Sequence, residues 1–129
     1  MRCGSGSRQW THPRVLCVNA RMTDAILVLV TAPSADKAAE LARSLVEEQL
    51  AACGNILPGL RSIYRWEGKV QDDTEALILF KTRASLFEAL RSRIIELHPY
   101  DVPEVLRFDI ADGHAPYLAW ILDSTRAPS

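Results

Sequence analysis

The sequence predicts an α+β domain in which helices cover one antiparallel sheet. First, strand-like and helix-like segments follow one another in the order β-α-β-β-α-β, and one short helix comes last. Second, only the turn signal Glu67-Gly68-Lys69 separates the two central strands, which is typical of a hairpin. Third, the chain has 129 residues, of which 48% are hydrophobic, so one core can form without disulfide bonds.

The first strand and the first helix follow from residue types at regular spacing. Residues 24–31 (DAILVLVT) form an apolar, largely β-branched run, which is typical of a strand buried on both faces. Ser34 can cap the helix that follows, and Asp36 in its first turn suits the helix dipole. Apolar residues then recur at helical spacing to about Ala52, and Gly54 lies where the chain is expected to turn out of this helix.

The hairpin strands follow a short apolar piece that the pair Pro58-Gly59 is expected to end. Residues 60–66 alternate in polarity, so Tyr64 and Trp66 share one face of a strand. Residues 70–82 return as a second, longer strand.

The last elements are a helix, a strand and a short helix. Ser85-Leu86-Phe87-Glu88 has the form of a capping box that opens the second helix. His98-Pro99 ends this helix, because the residue before a proline avoids the α conformation. Residues 104–110 alternate as a fourth strand, and Pro116 can open a last helix over about 117–122.

This order of elements is that of a ferredoxin-like sandwich, with an antiparallel sheet and both helices on one face. The hairpin strands are long for so small a sheet, and we expect them to project past the body of the domain. The strand edges of an exposed long hairpin carry unpaired backbone N–H and C=O groups, which natural proteins usually cover. We expect that cover to be another copy of the same chain.

Composition and charge exclude several classes of protein. Fifteen basic and 16 acidic residues give a net charge of −1, which argues against a broad basic face for nucleic acid. The longest apolar run, Ala25 to Val30, is far shorter than the roughly 20 residues that a membrane helix needs. Cys3, Cys17 and Cys53 cannot all pair within one chain. A reducing compartment fits better than secretion.

Residues 1–21 differ in composition from the rest of the chain. They include four arginines, no acidic residue, and the stretch Gly4-Ser5-Gly6-Ser7. We expect them to be a flexible extension outside the fold, with residues 22–129 as the domain. Translation from upstream of a natural start at Met22, an Arg-rich targeting peptide and a genuine tail all stay open as explanations.

Five short motifs run through the domain. They are residues 50–56 (LAACGNI), 62–69 (SIYRWEGK), Glu75 with 79–82 (LFKT), 98–104 (HPYDVPE) and 117–121 (YLAWI). In order and spacing, over about 24–122, they resemble the motifs of the CutA family, the divalent-cation tolerance proteins. Gly54, Phe80 and Asp101 stand where the family usually has Val, Ile and Glu.

The resemblance implies a ferredoxin-like subunit that assembles through its long hairpins into a tight homotrimer. It also implies a link to copper and other divalent cations, and presence in the bacterial cytoplasm. The fold further resembles that of the PII signal proteins, trimers that bind small effectors between subunits. Function does not follow from such a likeness of fold.

The candidate metal ligands are Cys53, His98, Asp101 and Glu104. An imidazole and two carboxylates close together in sequence suit Cu(II) or Zn(II), and an exposed thiolate favours Cu(I). The alternatives are structural, with Cys53 as a small buried hydrophobe and His98 as a cap of its helix. His114, in a turn, is a weaker candidate. Since the sequence has no CxxC or HxH pair, we expect weak binding, with copper as the expected metal.

A second candidate site is an inter-subunit cleft for an anionic or zwitterionic ligand. Its predicted residues are Tyr64, Trp66, Glu75, Lys81 and Tyr117, together with His98. Glu75 and Lys81 point to the same face of one strand but are some 20 Å apart at ~3.3 Å per residue, so they cannot pair within one chain. The alternative is that these residues are salt-bridge and packing partners at a subunit interface.

The sequence shows no machinery for covalent catalysis. It has no Ser-His-Asp order, no nucleophile elbow and no phosphate loop. Together with what the resemblance implies, this leads us to expect a non-catalytic homotrimer that serves divalent-cation, chiefly copper, tolerance and binds the metal weakly. The alternative function is that of a PII-like trimeric sensor or adaptor.

Overall fold

The computed structural model of the chain describes residues 23–127. Its elements are β1 (Ala25–Ala32), α1 (Ala35–Glu47), β2 (Cys53–Trp66), β3 (Lys69–Arg83), a 3₁₀ turn (Ala84–Leu86), α2 (Phe87–Leu97), β4 (Val105–Asp109) and α3 (Ala115–Asp123). The predicted order and the ferredoxin-like class are confirmed. The extension predicted for residues 1–21 lies outside the described residues.

One four-stranded sheet has the order β2-β3-β1-β4, and all neighbours are antiparallel. Helices α1 and α2 lie on one face of it, where alternate residues of β1 and β3 are buried. Val28, for example, pairs with Phe80 and is fully buried with it under the helices. The core also contains Ile26, Val30, Ile78, Leu41, Leu45, Leu90 and Ile94.

The first helix begins as predicted but ends earlier. The Ser34 Oγ accepts a hydrogen bond from the Lys37 N–H at 3.1 Å. The helix ends at Glu47 instead of near Ala52, and Gln49 takes a left-handed conformation with φ 60°. The expectation that Gly54 makes this turn was therefore wrong, since the reversal takes place five residues earlier.

Gly54 lies within β2 and is needed for close packing. A Cβ added there would be 3.0 Å from the Ala42 Cβ and 3.0 Å from the Phe80 Cε1. Gly54 and Phe80 are also cross-strand partners in the sheet. The two departures from the family motifs thus compensate each other, because the missing side chain leaves room for the larger ring.

Two other local predictions were wrong in detail. The 3₁₀ turn leads directly into α2, whose N-cap residue Leu86 makes no side-chain capping bond, so Ser85 does not form the predicted capping box. Pro58-Gly59 does not end a strand either. Gly59 has φ +76° and lies in a bulge between Leu57 and Leu60, so β2 continues on both sides of it.

The hairpin turn has the predicted form. Glu67 and Gly68 have φ values of 52° and 78°, as in a two-residue turn of type I′, and Trp66 pairs with Lys69 across it. The strand pairing of β3 with β1 ends at Ala76. The rest of the hairpin therefore extends beyond β1.

The face of the sheet opposite the helices is apolar and uncovered in the single chain. Leu57, Leu106 and Phe108 are about half exposed, at 47%, 49% and 49%. Leu106 and Phe108 pair with Leu29 and Leu27 of β1 and continue the same face. Burial of this face would favour association.

The C-terminal helix closes one end of the domain. Ile121 is fully buried against Ala25 and Ala52. The Arg83 Nε donates a hydrogen bond to the Thr125 Oγ1 at 3.0 Å. Within residues 23–127, no helix is both long enough and apolar enough to pass through a membrane.

The packing of Gly54 against Phe80 predicts strong coupling between these positions. Gly54→Val should lower the free energy of unfolding by about 1–3 kcal/mol through overpacking. Phe80→Ile should lower it by about 1–2 kcal/mol by leaving a cavity. The double variant should recover most of both losses, as measured by urea unfolding. Additive losses in the double variant would contradict this account.

Candidate functional site

A cleft of about 700 Å³ opens where the hairpin leaves the body of the domain. It is lined by Thr31 at the end of β1, by Arg61, Ser62, Ile63, Tyr64 and Trp66 of β2, by Glu75 of β3, and by Tyr100, Asp101, Val102 and Glu104 of the loop after α2. The structure thus joins part of the predicted cleft, Tyr64, Trp66 and Glu75, to two of the predicted metal ligands, Asp101 and Glu104.

His98 fixes the loop that forms one wall of this cleft. Its side chain is 7% exposed, and its Nε2 lies 2.7 Å from the carbonyl oxygen of Thr31. Its Nδ1 accepts a hydrogen bond from the Tyr100 N–H at 3.1 Å. The proton therefore belongs on Nε2, which donates to Thr31. Both ring nitrogens are engaged, so metal binding by His98 would break one of these buried bonds.

Two phenols donate to carboxylates beside the cleft. The Tyr100 Oη donates to the Glu75 Oε2 at 2.7 Å, and burial together with this carboxylate raises the pKa of Tyr100. The Tyr64 Oη donates to the Asp73 Oδ2 at 2.5 Å, a bond that raises the pKa of Tyr64. Both tyrosines are therefore neutral donors near pH 7, and Glu75 is held in place as an acceptor.

The charges of the lining residues are unbalanced. Arg61 donates to both oxygens of Asp72, at 2.9 and 2.7 Å, so its charge is already paired. This pair lowers the pKa of Asp72. Asp101 and Glu104 are exposed and form no hydrogen bond or ion pair within residues 23–127. With Glu75 they give the cleft a negative potential, which favours cations.

The remaining predicted residues form a second cluster at the start of β2. Lys81 pairs with Cys53 across the sheet, and its Nζ donates to the Asn55 Oδ1. The Cys53 Sγ donates to the same oxygen at 3.5 Å. The Lys81 Nζ lies 5.9 Å from the centre of the Tyr117 ring, which stacks on Trp120. The predicted cleft is thus divided between two places in one chain.

The four predicted metal ligands are likewise divided. Cys53 belongs to the second cluster, His98 is buried under the loop, and only Asp101 and Glu104 line the cleft. Within residues 23–127, no three side chains of His, Cys, Asp or Glu gather closely enough to hold a metal ion. His114 is exposed at the start of α3 and forms no side-chain cap. A metal site completed by a second chain stays a prediction.

Sequence reasoning missed Tyr100 and Arg61 as residues of the cleft. Tyr100 lies within the motif 98–104, so its position beside His98 was a usable signal. Its bond to Glu75 was not readable, because 25 residues separate the two in sequence. Alternation along residues 60–66 places Arg61 on the opposite face of the strand from Tyr64, but both residues line the cleft.

Known proteins are similar to this chain in both fold and sequence. A family model described as CutA1 divalent ion tolerance protein matches residues 26–124. The divalent-cation tolerance protein CutA of Thermus thermophilus is 50% identical over 99 residues, 77% of this chain and 96% of that protein. The chloroplastic protein CutA of Arabidopsis thaliana is 47% identical over 108 residues, 84% of this chain but only 59% of that protein. The solved structure of the divalent cation tolerance protein (Cut A1) from T. thermophilus superposes with a TM-score of 0.77 at 49% identity, over 79% of this chain and 99% of that chain.

The fold and the match to the family model define a ferredoxin-like protein of the divalent-cation tolerance class. The chain belongs to the CutA1 divalent ion tolerance family. The family predicted from the five sequence motifs is thereby confirmed.

The buried hydrogen bonds of His98 predict that replacing this residue lowers the stability of the fold. His98→Ala should lower the free energy of unfolding by about 2 kcal/mol or more, because the Thr31 carbonyl and the Tyr100 N–H lose their partner. His114→Ala, at an exposed position, should change it by less than about 0.5 kcal/mol. Urea unfolding of both variants checks this. Equal, small effects would show that His98 does not hold the loop.

Proposed function

We propose that this chain serves divalent-cation tolerance as a non-catalytic homotrimer that binds copper weakly. The observation that supports this best is the cleft at the base of the hairpin, where Asp101 and Glu104 have no partner within residues 23–127. Two exposed carboxylates attract a divalent cation. Without a third donor close by they hold it only weakly.

The homotrimer is proposed from the surface of the single chain. The open face of the sheet is apolar, with Leu57, Leu106 and Phe108 about half exposed. The projecting hairpin adds strand edges whose backbone groups are open to pairing with another chain. Identical chains that each cover the next one can form a closed ring. The stacked aromatic pair Tyr117–Trp120 adds further exposed apolar surface for such packing.

Copper is proposed from the chemistry of the donors. At a given site of oxygen donors such as Asp101 and Glu104, Cu(II) binds more tightly than the other divalent first-row metals. The partly exposed thiol of Cys53 suits Cu(I). We assign His98 a positioning role, because its two nitrogens hold Thr31 and Tyr100.

We also propose that the protein is not an enzyme and that it works in a reducing compartment. The two phenols beside the cleft have raised pKa values and do not serve as bases near pH 7. The odd number of cysteines favours a reducing compartment, for which we propose the cytoplasm. The Arabidopsis relative is named as chloroplastic, so the family name alone does not fix a compartment.

A copper titration of the full chain tests this function. Calorimetry should show saturable, weak Cu(II) binding that the double variant Asp101→Asn/Glu104→Gln reduces about tenfold or more. Glu47→Gln changes an exposed carboxylate of α1 outside the cleft and should leave binding unchanged. The Cys53→Ala variant should weaken Cu(I) binding and leave Cu(II) binding unchanged. Cu(II) binding of equal strength in all variants would contradict the proposal.

The alternative, a PII-like sensor, is favoured by one observation. A cleft of about 700 Å³ is within the range of sites for small organic ligands. A metal-free chain whose melting temperature rises with a small molecule would support this alternative.

A further inference from the structure

Lys81 is a charged residue on the open, largely apolar face of the sheet. In the register of the sheet it pairs with Cys53 of β2 on one side and with Leu27 of β1 on the other. Leu27 in turn pairs with Phe108 of β4, which is about half exposed. Directly paired residues point to the same face of a sheet. Lys81 therefore carries its charge within surface that would otherwise favour burial.

Lys81 has no anionic partner within residues 23–127. Its Nζ donates a hydrogen bond to the amide oxygen of Asn55 and lies 5.9 Å from the centre of the Tyr117 ring. An amide oxygen and an aromatic ring stabilise an ammonium group without neutralising its charge. The side chain is already partly buried in the single chain.

Glu75 is in the opposite situation on the same face of β3. It is also partly buried, and it forms no ion pair with any described residue. The hydrogen bond to its Oε2 comes from a neutral group, the phenol of Tyr100, at 2.7 Å. Leu77 and Leu79 separate Glu75 from Lys81 along the strand, over about 20 Å at the usual rise per residue. The face thus has an anion and a cation that cannot reach each other.

Assembly of the chains removes both groups from water. In the homotrimer proposed above, a neighbouring chain covers the open face of the sheet. A charge that is buried without a counter-charge strongly destabilises the buried state. Since the chains are identical, each one carries the counter-charge that the other lacks. A ring in which each chain covers the next one brings different parts of the two faces together.

We infer that Lys81 of each chain forms an ion pair with Glu75 of the partner subunit. The inference rests on the homotrimer of the proposed function and goes beyond it, because it names a contact that fixes how the chains meet. The phenol of Tyr100 occupies Oε2 of Glu75, so the other carboxylate oxygen is available to the ammonium group. Glu75 is preferred over Asp101 and Glu104 because these two are exposed residues of a loop, outside the face of β3.

Neutral variants of the full chain test the pair by sedimentation equilibrium. Lys81→Met keeps an apolar stem without the charge, and Glu75→Gln keeps an oxygen that accepts from Tyr100. Each single variant leaves one charge unpaired in the interface, so it should weaken the trimer association constant about tenfold or more. The double variant leaves neither charge and should recover most of this loss.

Exchange of the two charges tests the direction of the pairing. Lys81→Glu alone and Glu75→Lys alone should weaken association further, because like charges then meet at the interface. The exchange Lys81→Glu/Glu75→Lys within one chain should restore it. The two positions are about 20 Å apart within a chain, so recovery has to come from a contact between chains.

Two exposed positions of α1 supply matched controls. Arg43→Glu and Glu47→Lys make the same changes of charge as the single reversals, and both should leave the association constant unchanged. Circular dichroism shows which variants keep the fold. If a charge reversal unfolds the chain, the neutral variants decide the question.

Three results would overturn the inference. If both neutral single variants assemble as the unchanged chain does, the ion pair is wrong and the homotrimer stands. If neither the neutral double variant nor the charge exchange recovers association, Lys81 takes its counter-charge from another group, such as a small anion. If the full chain stays monomeric at every concentration, this inference and the proposed homotrimer fail together. A failed copper titration leaves the ion pair standing, because sedimentation is measured without metal.

Discussion

The unequal length of two paired strands determines where the cleft of this protein lies. Strand β3 has 15 residues, but β1 pairs only with Ala76 to Arg83. From Glu75 to Lys69 the strand pairs with β2 alone. The hairpin therefore leaves the body of the domain at Glu75, and the side chains around this departure point cannot be covered by the sheet. The loop after α2 fills one side of that gap and leaves the cleft on the other.

The helix face and the cleft are connected through His98. This side chain is buried, yet its ring joins the last residues of β1 to the loop that carries Tyr100 and Asp101. Tyr100 in turn fixes Glu75 at the hairpin base. His98 therefore fixes the position of the loop and, through Tyr100, that of Glu75. A histidine in a predicted metal motif can thus have a structural role without binding a ligand.

Local pattern predicted the elements well and the contacts between them poorly. Alternation placed Tyr64 and Trp66 on one face, and Gly68 marked the hairpin turn, because both depend on neighbouring residues. Pro58-Gly59 was misread, since a bulge uses the same residues as a strand break and keeps the pairing on both sides. The separation of Lys81 from Glu75 follows from the strand rise, but the position of Tyr117 beside Lys81 depends on where α3 docks. The periodicity of the sequence does not show where a helix docks.

The central claim is that cations bind at the base of the hairpin, and paramagnetic broadening tests it most directly. Amide resonances of the full chain are recorded while Cu(II) is added in small amounts. The account predicts that broadening begins at residues 99–104 and at the hairpin base around Glu75. Broadening that begins around Cys53 and Lys81, or that affects the whole chain evenly, would contradict it.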